Sequence, residues 1–252
     1  MSRAPFADRA VAAVLLGAPN FRDLGGASAA GGRRVRHGCV FRSGHLGELH
    51  AQDVAALQAH LGEDVSVVDL RGVTERTKLA CGLPRAQVRS LPIEPTVAQK
   101  LLALAAHGEP MTPQAARRFM REAYEGFVRH ARPQLAAFFA HVLERSGHPL
   151  VIHCAAGKDR TGFMAAMLLT ALDVPADGVL EDYLATNTRV GPRESARFAP
   201  EIMQVLGTVQ AEFLDAAFDV IASEFGGTGR YLAEAAGLDA RRRARLQDLL
   251  LA

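Results

Sequence analysis

The 252-residue chain carries 29 lysines and arginines against 27 aspartates and glutamates, a formal charge of +2. A balance this close gives no extended field for nucleic acid, so function is to be sought in a site. The length and a hydrophobic content of 49 % suffice for a sizeable α/β core, while Cys39, Cys81 and Cys154 include no Cys-X-X-Cys pair and argue against a disulfide scaffold or a zinc site.

In chain order, Val11–Ala18 is apolar but short, follows Arg3, Asp8 and Arg9 without a clean basic leader, and is read as mature protein. No stretch approaches the roughly 18 consecutive apolar residues of a membrane span. The Gly-rich segment 25–32 leads into Arg33–Val40, where alternating Val35, His37 and Cys39 predict a short hairpin at a sheet edge before Phe41-Arg42-Ser43. Gln52–Leu61 has helical spacing and stops at Gly62, and Val65–Leu70 is a compact β-branched strand. Between Arg85 and Gly108 the pattern loosens around Pro84, Pro92 and Pro95, leaving the apolar run Leu101–Ala106. Pro113–His130 and Pro133–Arg145 predict helices, the second opening on proline and stopping at Gly147. Beyond Leu172 the pattern is all helical, over Ala176–Asn187, Ala199–Leu206, Gln210–Glu224, Gly229–Ala236 and Ala240–Leu251. The last helix carries Arg241-Arg242-Arg243-Ala244-Arg245, read as a solvated face with weak attraction to an anionic membrane surface.

The most informative segment lies between the apolar strand Pro149–Ile152 and the apolar helix Phe163–Leu172: His153-Cys154-Ala155-Ala156-Gly157-Lys158-Asp159-Arg160-Thr161-Gly162. A tight loop ending at a helix N-terminus turns several unpaired backbone N–H groups toward one point, and the helix dipole adds positive potential there. That point suits a phosphate dianion. The same field stabilises a thiolate at Cys154, and Arg160 can fork two N–H bonds onto phosphoryl oxygens.

Cys-X5-Arg-Thr is the signature of the cysteine-dependent protein tyrosine phosphatase superfamily, which this chain resembles. The resemblance is fullest to its bacterial branch of tyrosine- and phosphoinositide-dephosphorylating enzymes. It is carried also by Asn20-Phe21-Arg22-Asp23-Leu24-Gly25-Gly26, Phe41-Arg42-Ser43-Gly44, Val68-Asp69-Leu70-Arg71 with Glu75, and the C-terminal Phe225-Gly226-Gly227, Tyr231-Leu232 and Gly237-Leu238. It implies a single domain over 1–252 with a protein tyrosine phosphatase-like α/β fold: a central sheet flanked by helices, a helical lid within 85–130 and a helical C-terminal region. It further implies a cofactor- and metal-independent phosphomonoester hydrolase working through a phosphocysteine intermediate, with phosphotyrosine in proteins as the leading substrate and activity on phosphoinositide and on phosphoserine or phosphothreonine left open. The sparse cysteines fit a cytoplasmic, reducing setting, with export by a route that needs no signal left open.

On this reading Cys154 is the nucleophile, and Ala155, Ala156, Gly157, Lys158, Arg160 and Thr161 hold the phosphate. The common Trp-Pro-Asp proton-donor loop is missing, since the chain has no tryptophan. Asp159 is favoured as general acid because it sits in the loop, with Asp69 as rival or as a support for Arg71. Lys158 is read either as a solvated lysine or as a contact for the extra phosphates of an inositol headgroup. The resemblance implies that His153 orders the loop, with a hydrogen-bonded core histidine as the equal alternative, and it places Arg22, Asp23, Arg42 and Ser43 around the site as supports. A rhodanese-like sulfurtransferase and a non-catalytic phosphate-recognition module are the rivals. The five-residue gap to Arg160 speaks against the first, and intact Cys154, Asp159 and Arg160 speak against the second.

Overall fold

The computed structural model describes residues 15–145, 148–191 and 194–252. The start of the Val11–Ala18 run and the predicted stop at Gly147 lie outside these residues. Five strands form one mixed sheet in the order β1-β2-β5-β3-β4: β1 (Arg22–Asp23), β2 (Val40–Ser43), β3 (Ser66–Asp69), β4 (Gln87–Ser90) and β5 (Leu150–His153). All neighbours are parallel except β1, which runs antiparallel to β2.

Eleven α-helices among the described residues surround the sheet: α1 (Ala51–Leu61), α2 (Val73–Lys78), α3 (Val97–Ala106), α4 (Pro113–His130), α5 (Arg132–Arg145), α6 (Asp159–Ala171), α7 (Ala176–Leu184), α8 (Pro200–Gly207), α9 (Ala211–Phe225), α10 (Thr228–Ala236) and α11 (Ala240–Leu250). Their ends carry local signals. Thr112 caps α4 by accepting from the Ala115 amide ahead of Pro113, and α9 stops at Gly226 in the left-handed conformation.

The sheet divides the interior because successive side chains of a strand point to opposite faces. Val40, Val68, Leu150 and Ile152 join the larger core with α4, α5, α6 and α9, while Phe41, Val67 and Val151 join a smaller one with Leu57 and Leu61 of α1. Near-continuous apolar strands of this kind mark a parallel sheet covered on both sides. The register aligns the last residues of three central strands, since Ser43 and Asp69 both pair with His153. The chain leaves β5 from the middle of this row, at the carboxyl edge where open α/β sheets bind ligands.

Three details depart from the sequence reading. The predicted edge hairpin over Arg33–Val40 is replaced by isolated bridges of Arg34 to Ser28 and of Val35 to Leu251, while Val40 opens β2 inside the sheet and β1 forms the edge. The irregular stretch contains β4 and a longer helix, α3, and α2 was not anticipated; α2 is only six residues and carries little periodicity. The basic face of α11 is not wholly solvated. Arg243 donates to the Thr170 and Ala171 carbonyls at the end of α6 and pairs with Asp173, and Arg245 reaches the Leu143 carbonyl of α5. Cations at helix C-termini satisfy orphan carbonyls and oppose the dipole.

Candidate active site

Cys154 follows β5 directly, and α6 begins at Asp159, so residues 154–158 form the predicted strand-loop-helix. Gly157 makes the loop possible. Its φ is +65°, and a Cβ there would stand 2.3 Å from the Ser43 carbonyl oxygen, so neither the conformation nor the approach to β2 tolerates a side chain. Cys154, Arg160 and Thr161 are buried, with Ala155 and Ala156 half-buried at the mouth. Burial pushes the Cys154 thiol up, but the Arg160 guanidinium and the hydroxyl and amide of Thr161 outweigh it and bring the thiol below its ordinary value. The buried Thr161 hydroxyl acts on the Cys154 sulfur and has no other partner among the described residues.

Arg160 is oriented by Glu75, which accepts from both terminal nitrogens at 2.6 and 2.8 Å, and by the Ile93 carbonyl at 3.1 Å. Burial would lower the guanidinium's affinity for its proton, but Glu75 more than offsets this, so the charge is permanent. The end-on pairing leaves the Nε edge for phosphoryl oxygens.

Behind the loop, Asp69 accepts from Arg71 through both oxygens at 2.7–3.2 Å and stands 3.6 Å from His153 Nε2. Arg71 in turn donates to the Leu79 carbonyl. With both oxygens engaged by Arg71, Asp69 is placed to brace that arginine beside the loop. Burial drives His153 down to about 4, below the ordinary 6.5, so the ring is neutral at pH 7. On the β2 side, Arg42 donates to the Gly157 carbonyl at 2.8 Å and to Asp182 at 2.5 Å. Arg22 shares Asp182 at 2.9 Å and also contacts the Asn20 side-chain oxygen, while Asn20 donates to the Gly157 carbonyl at 2.7 Å. Two arginines, one asparagine and one carboxylate thus hold a single carbonyl of the loop. Ser43 is fully buried and contributes its backbone, against which Gly157 packs.

Asp23 is the exception among the predicted supports. Its oxygens accept from the Gly25 and Gly38 amides and contact His37, which ties the turn beyond β1 and leaves nothing for the loop. Lys158 corrects the solvated reading: its side chain is 5 % exposed, and its ammonium lies 2.9 Å from Asp159 and 3.1 Å from the Thr208 carbonyl. Asp159 also accepts from the Tyr124 hydroxyl at 3.0 Å.

A cleft of about 230 Å³ opens over Cys154, lined by the loop and by Val190, Met203, Leu206 and Gly207. The wall facing the cysteine therefore belongs to α8 and the segment before it. From 85–130, Tyr124 on α4 reaches the site through Asp159, and Ile93 through Arg160. The sequence reading quotes Glu75 without a role, assigns none to Asp182, Tyr124 or Tyr183, and predicts the Ala199–Leu206 helix, here α8, without placing it at the site. Asp182 and Tyr183 lie on the ordinary amphipathic helix α7, where the only signal was a charge beside an aromatic residue on a face that turns inward.

Comparison with known proteins agrees with this geometry. A family model described as the tyrosine phosphatase family matches residues 13–252. The chain is 36 % identical to a protein of Cupriavidus necator named as a candidate tyrosine-protein phosphatase, over 87 % of this chain and 82 % of that one. It is 31 % identical to the triple specificity protein phosphatase PtpB of Mycobacterium tuberculosis, over 94 % and 98 % respectively. A tyrosine-protein phosphatase of Nostoc commune is 33 % identical over 44 % of this chain and 35 % of its own. With its five-stranded α/β fold and a family match over residues 13–252, the chain belongs to the tyrosine phosphatase family and is a phosphatase enzyme.

Proposed function

We propose that the chain hydrolyses phosphotyrosine in proteins through a phosphocysteine intermediate on Cys154. The carrying observation is a buried thiol facing Arg160 at the start of a helix-opening loop, held below its ordinary proton affinity. The thiolate attacks phosphorus while the bond to the tyrosyl oxygen breaks, and Asp159 gives that oxygen its proton. The Asp159 carboxylate then takes a proton from water as the water oxygen attacks phosphorus. The P–S bond breaks, releasing inorganic phosphate and restoring the thiolate. Arg160 and the loop amides from Ala155 to Thr161 stabilise the charge on the phosphoryl oxygens throughout. Lys158 supports Asp159 and borders the phosphate.

A wider specificity, covering phosphoserine, phosphothreonine or phosphoinositide, is a second reading favoured by the triple specificity in the name of the mycobacterial relative. The ties of Lys158 to Asp159 and the Thr208 carbonyl do not favour it as a contact for additional headgroup phosphates.

The test is Cys154→Ser. It is expected to abolish turnover of a phosphotyrosyl peptide and of p-nitrophenyl phosphate while phosphate-ligand binding persists, since Arg160 and the loop amides remain. Substantial residual hydrolysis would eliminate the covalent route.

A further inference from the structure

Tyr124 on α4 and Tyr183 on α7 meet behind Asp159, both fully buried, with their hydroxyl oxygens 2.6 Å apart. Each phenol has one proton to give. Tyr124 gives its proton to Asp159 Oδ1 at 3.0 Å, so the short contact between the phenols is a donation from Tyr183 to Tyr124. Donation into Tyr124 polarises it and strengthens its own bond to the carboxyl. Burial pushes both phenols well above their ordinary proton affinity, so both remain donors across the range in which the enzyme can be assayed.

Packing fixes where the hydroxyls point. The Tyr124 ring lies against Phe127 and Phe213 and meets Tyr183 edge-on. Tyr183 seats on Gly162 of the catalytic helix, where a Cβ would come within 3.0 Å of its ring and 3.3 Å of Arg42. The glycine that follows Thr161 thus admits the second tyrosine. Lys158 also contacts the carboxyl, 3.0 Å from the same Oδ1 and 2.9 Å from Oδ2, but through a long side chain that borders the cleft.

We propose that Tyr124 and Tyr183 are positioning residues for the proton donor, a directed pair of hydroxyls that fixes the rotation of the Asp159 carboxyl toward the leaving-group oxygen. This rests on Asp159 acting as the general acid. In both of its protonation states the carboxyl keeps an oxygen able to accept from Tyr124, so the alignment survives the proton transfer.

The experiment compares p-nitrophenyl phosphate, whose leaving group needs little protonation, with phenyl phosphate, which needs more. Tyr124→Phe is expected to lower kcat/KM on phenyl phosphate roughly tenfold, the scale of one hydrogen bond to a charged group, with little change in kcat/KM on p-nitrophenyl phosphate, since this ratio reports transfer to Cys154 and not the later hydrolysis that both substrates share. Tyr183→Phe should act in the same direction by about two- to threefold, and it carries the test should Tyr124→Phe fail to fold. In an Asp159→Asn background, Tyr124→Phe should add nothing. If Asp159→Asn is selective for phenyl phosphate while Tyr124→Phe slows both substrates alike or adds to Asp159→Asn, the pairing is overturned and the acid stands. If Asp159→Asn itself is unselective, both readings fall.

Discussion

Replacing Asp182 with asparagine would leave two guanidiniums facing each other without their shared carboxylate. Arg42 is fully buried, Arg22 is 8 % exposed and Asp182 is 16 % exposed, so little solvent is at hand to replace the lost charge. Burial already lowers Arg22 to about 10, with Arg42 adding to the effect and Asp182 opposing it. Breaking a buried pair by removing one partner costs about 3–5 kcal/mol, and the partial exposure of Asp182 places this case near 3. For a chain of this size that corresponds to a Tm lower by roughly 6–12 °C. The same change loosens Arg42 on the Gly157 carbonyl, so kcat on p-nitrophenyl phosphate should fall by roughly ten- to a hundredfold, the scale of small misplacements in a catalytic loop. Urea and thermal unfolding at neutral pH measure the first effect and initial rates the second. Adding Arg22→Leu to Asp182→Asn should recover part of the lost stability by removing one unmatched cation. An Asp182→Asn protein within ~0.5 kcal/mol of the parent would refute the argument that this carboxylate holds the arginines, since that is the range of ordinary surface substitutions.

Two further outcomes are expected. Gly157→Ala should cost at least the ~1–2 kcal/mol of a left-handed non-glycine residue and nearly abolish turnover, because its Cβ meets a carbonyl of the central sheet. Gly31→Ala, at φ +72° with open space around it, should pay only the backbone cost and keep its kcat, and equal activity losses in the two would falsify the steric account. His153 is lowered to about 4 by burial, with Asp69 opposing the shift and Arg71 and His45 reinforcing it. The unfolded chain therefore binds the extra proton first, and the stability from a neutral His153 is complete above pH 6.5 and drains away as pH falls toward 4. About 2.5 pH units at ~1.4 kcal/mol each amount to about 3 kcal/mol. In urea titrations His153→Gln should flatten the decline between pH 6.5 and 4.5. A decline as steep as the parent's would assign it to other groups.

Much of the fold was readable because its signals are local. Several later helices carry apolar periodicity with proline, threonine or glycine at their ends, α4 and α9 among them, and β3 and β5 are built around the short apolar runs Val67-Val68 and Leu150-Val151-Ile152. The loop was legible for the same reason, since Cys154, Gly157, Asp159 and Arg160 lie within seven consecutive residues. What escaped is what depends on distance in sequence. Tyr124 meets Asp159 across 35 positions, Arg22 meets Asp182 across 160, and Asn20 reaches Gly157 across 137. No periodicity encodes such meetings, which the strand order and the packing of α4 and α7 on α6 create. Asp23 shows the converse. Its neighbour Arg22 turns inward and Asp23 turns into a glycine-rich corner, although both belong to one motif.

The burial of every tyrosine has an optical consequence. The chain has no tryptophan, and its three tyrosines, Tyr124, Tyr183 and Tyr231, are all fully buried. Ultraviolet emission of the native protein therefore comes from three phenols, one donating to a catalytic-loop carboxylate, another to that first phenol, and the third to the Val128 carbonyl. A carboxylate that accepts from a phenol quenches its emission, so the enzyme carries a label-free reporter next to its own reacting centre. A ligand at the loop that disturbs the Tyr124–Asp159 bond would show as a change in brightness, without a dye or an introduced fluorophore.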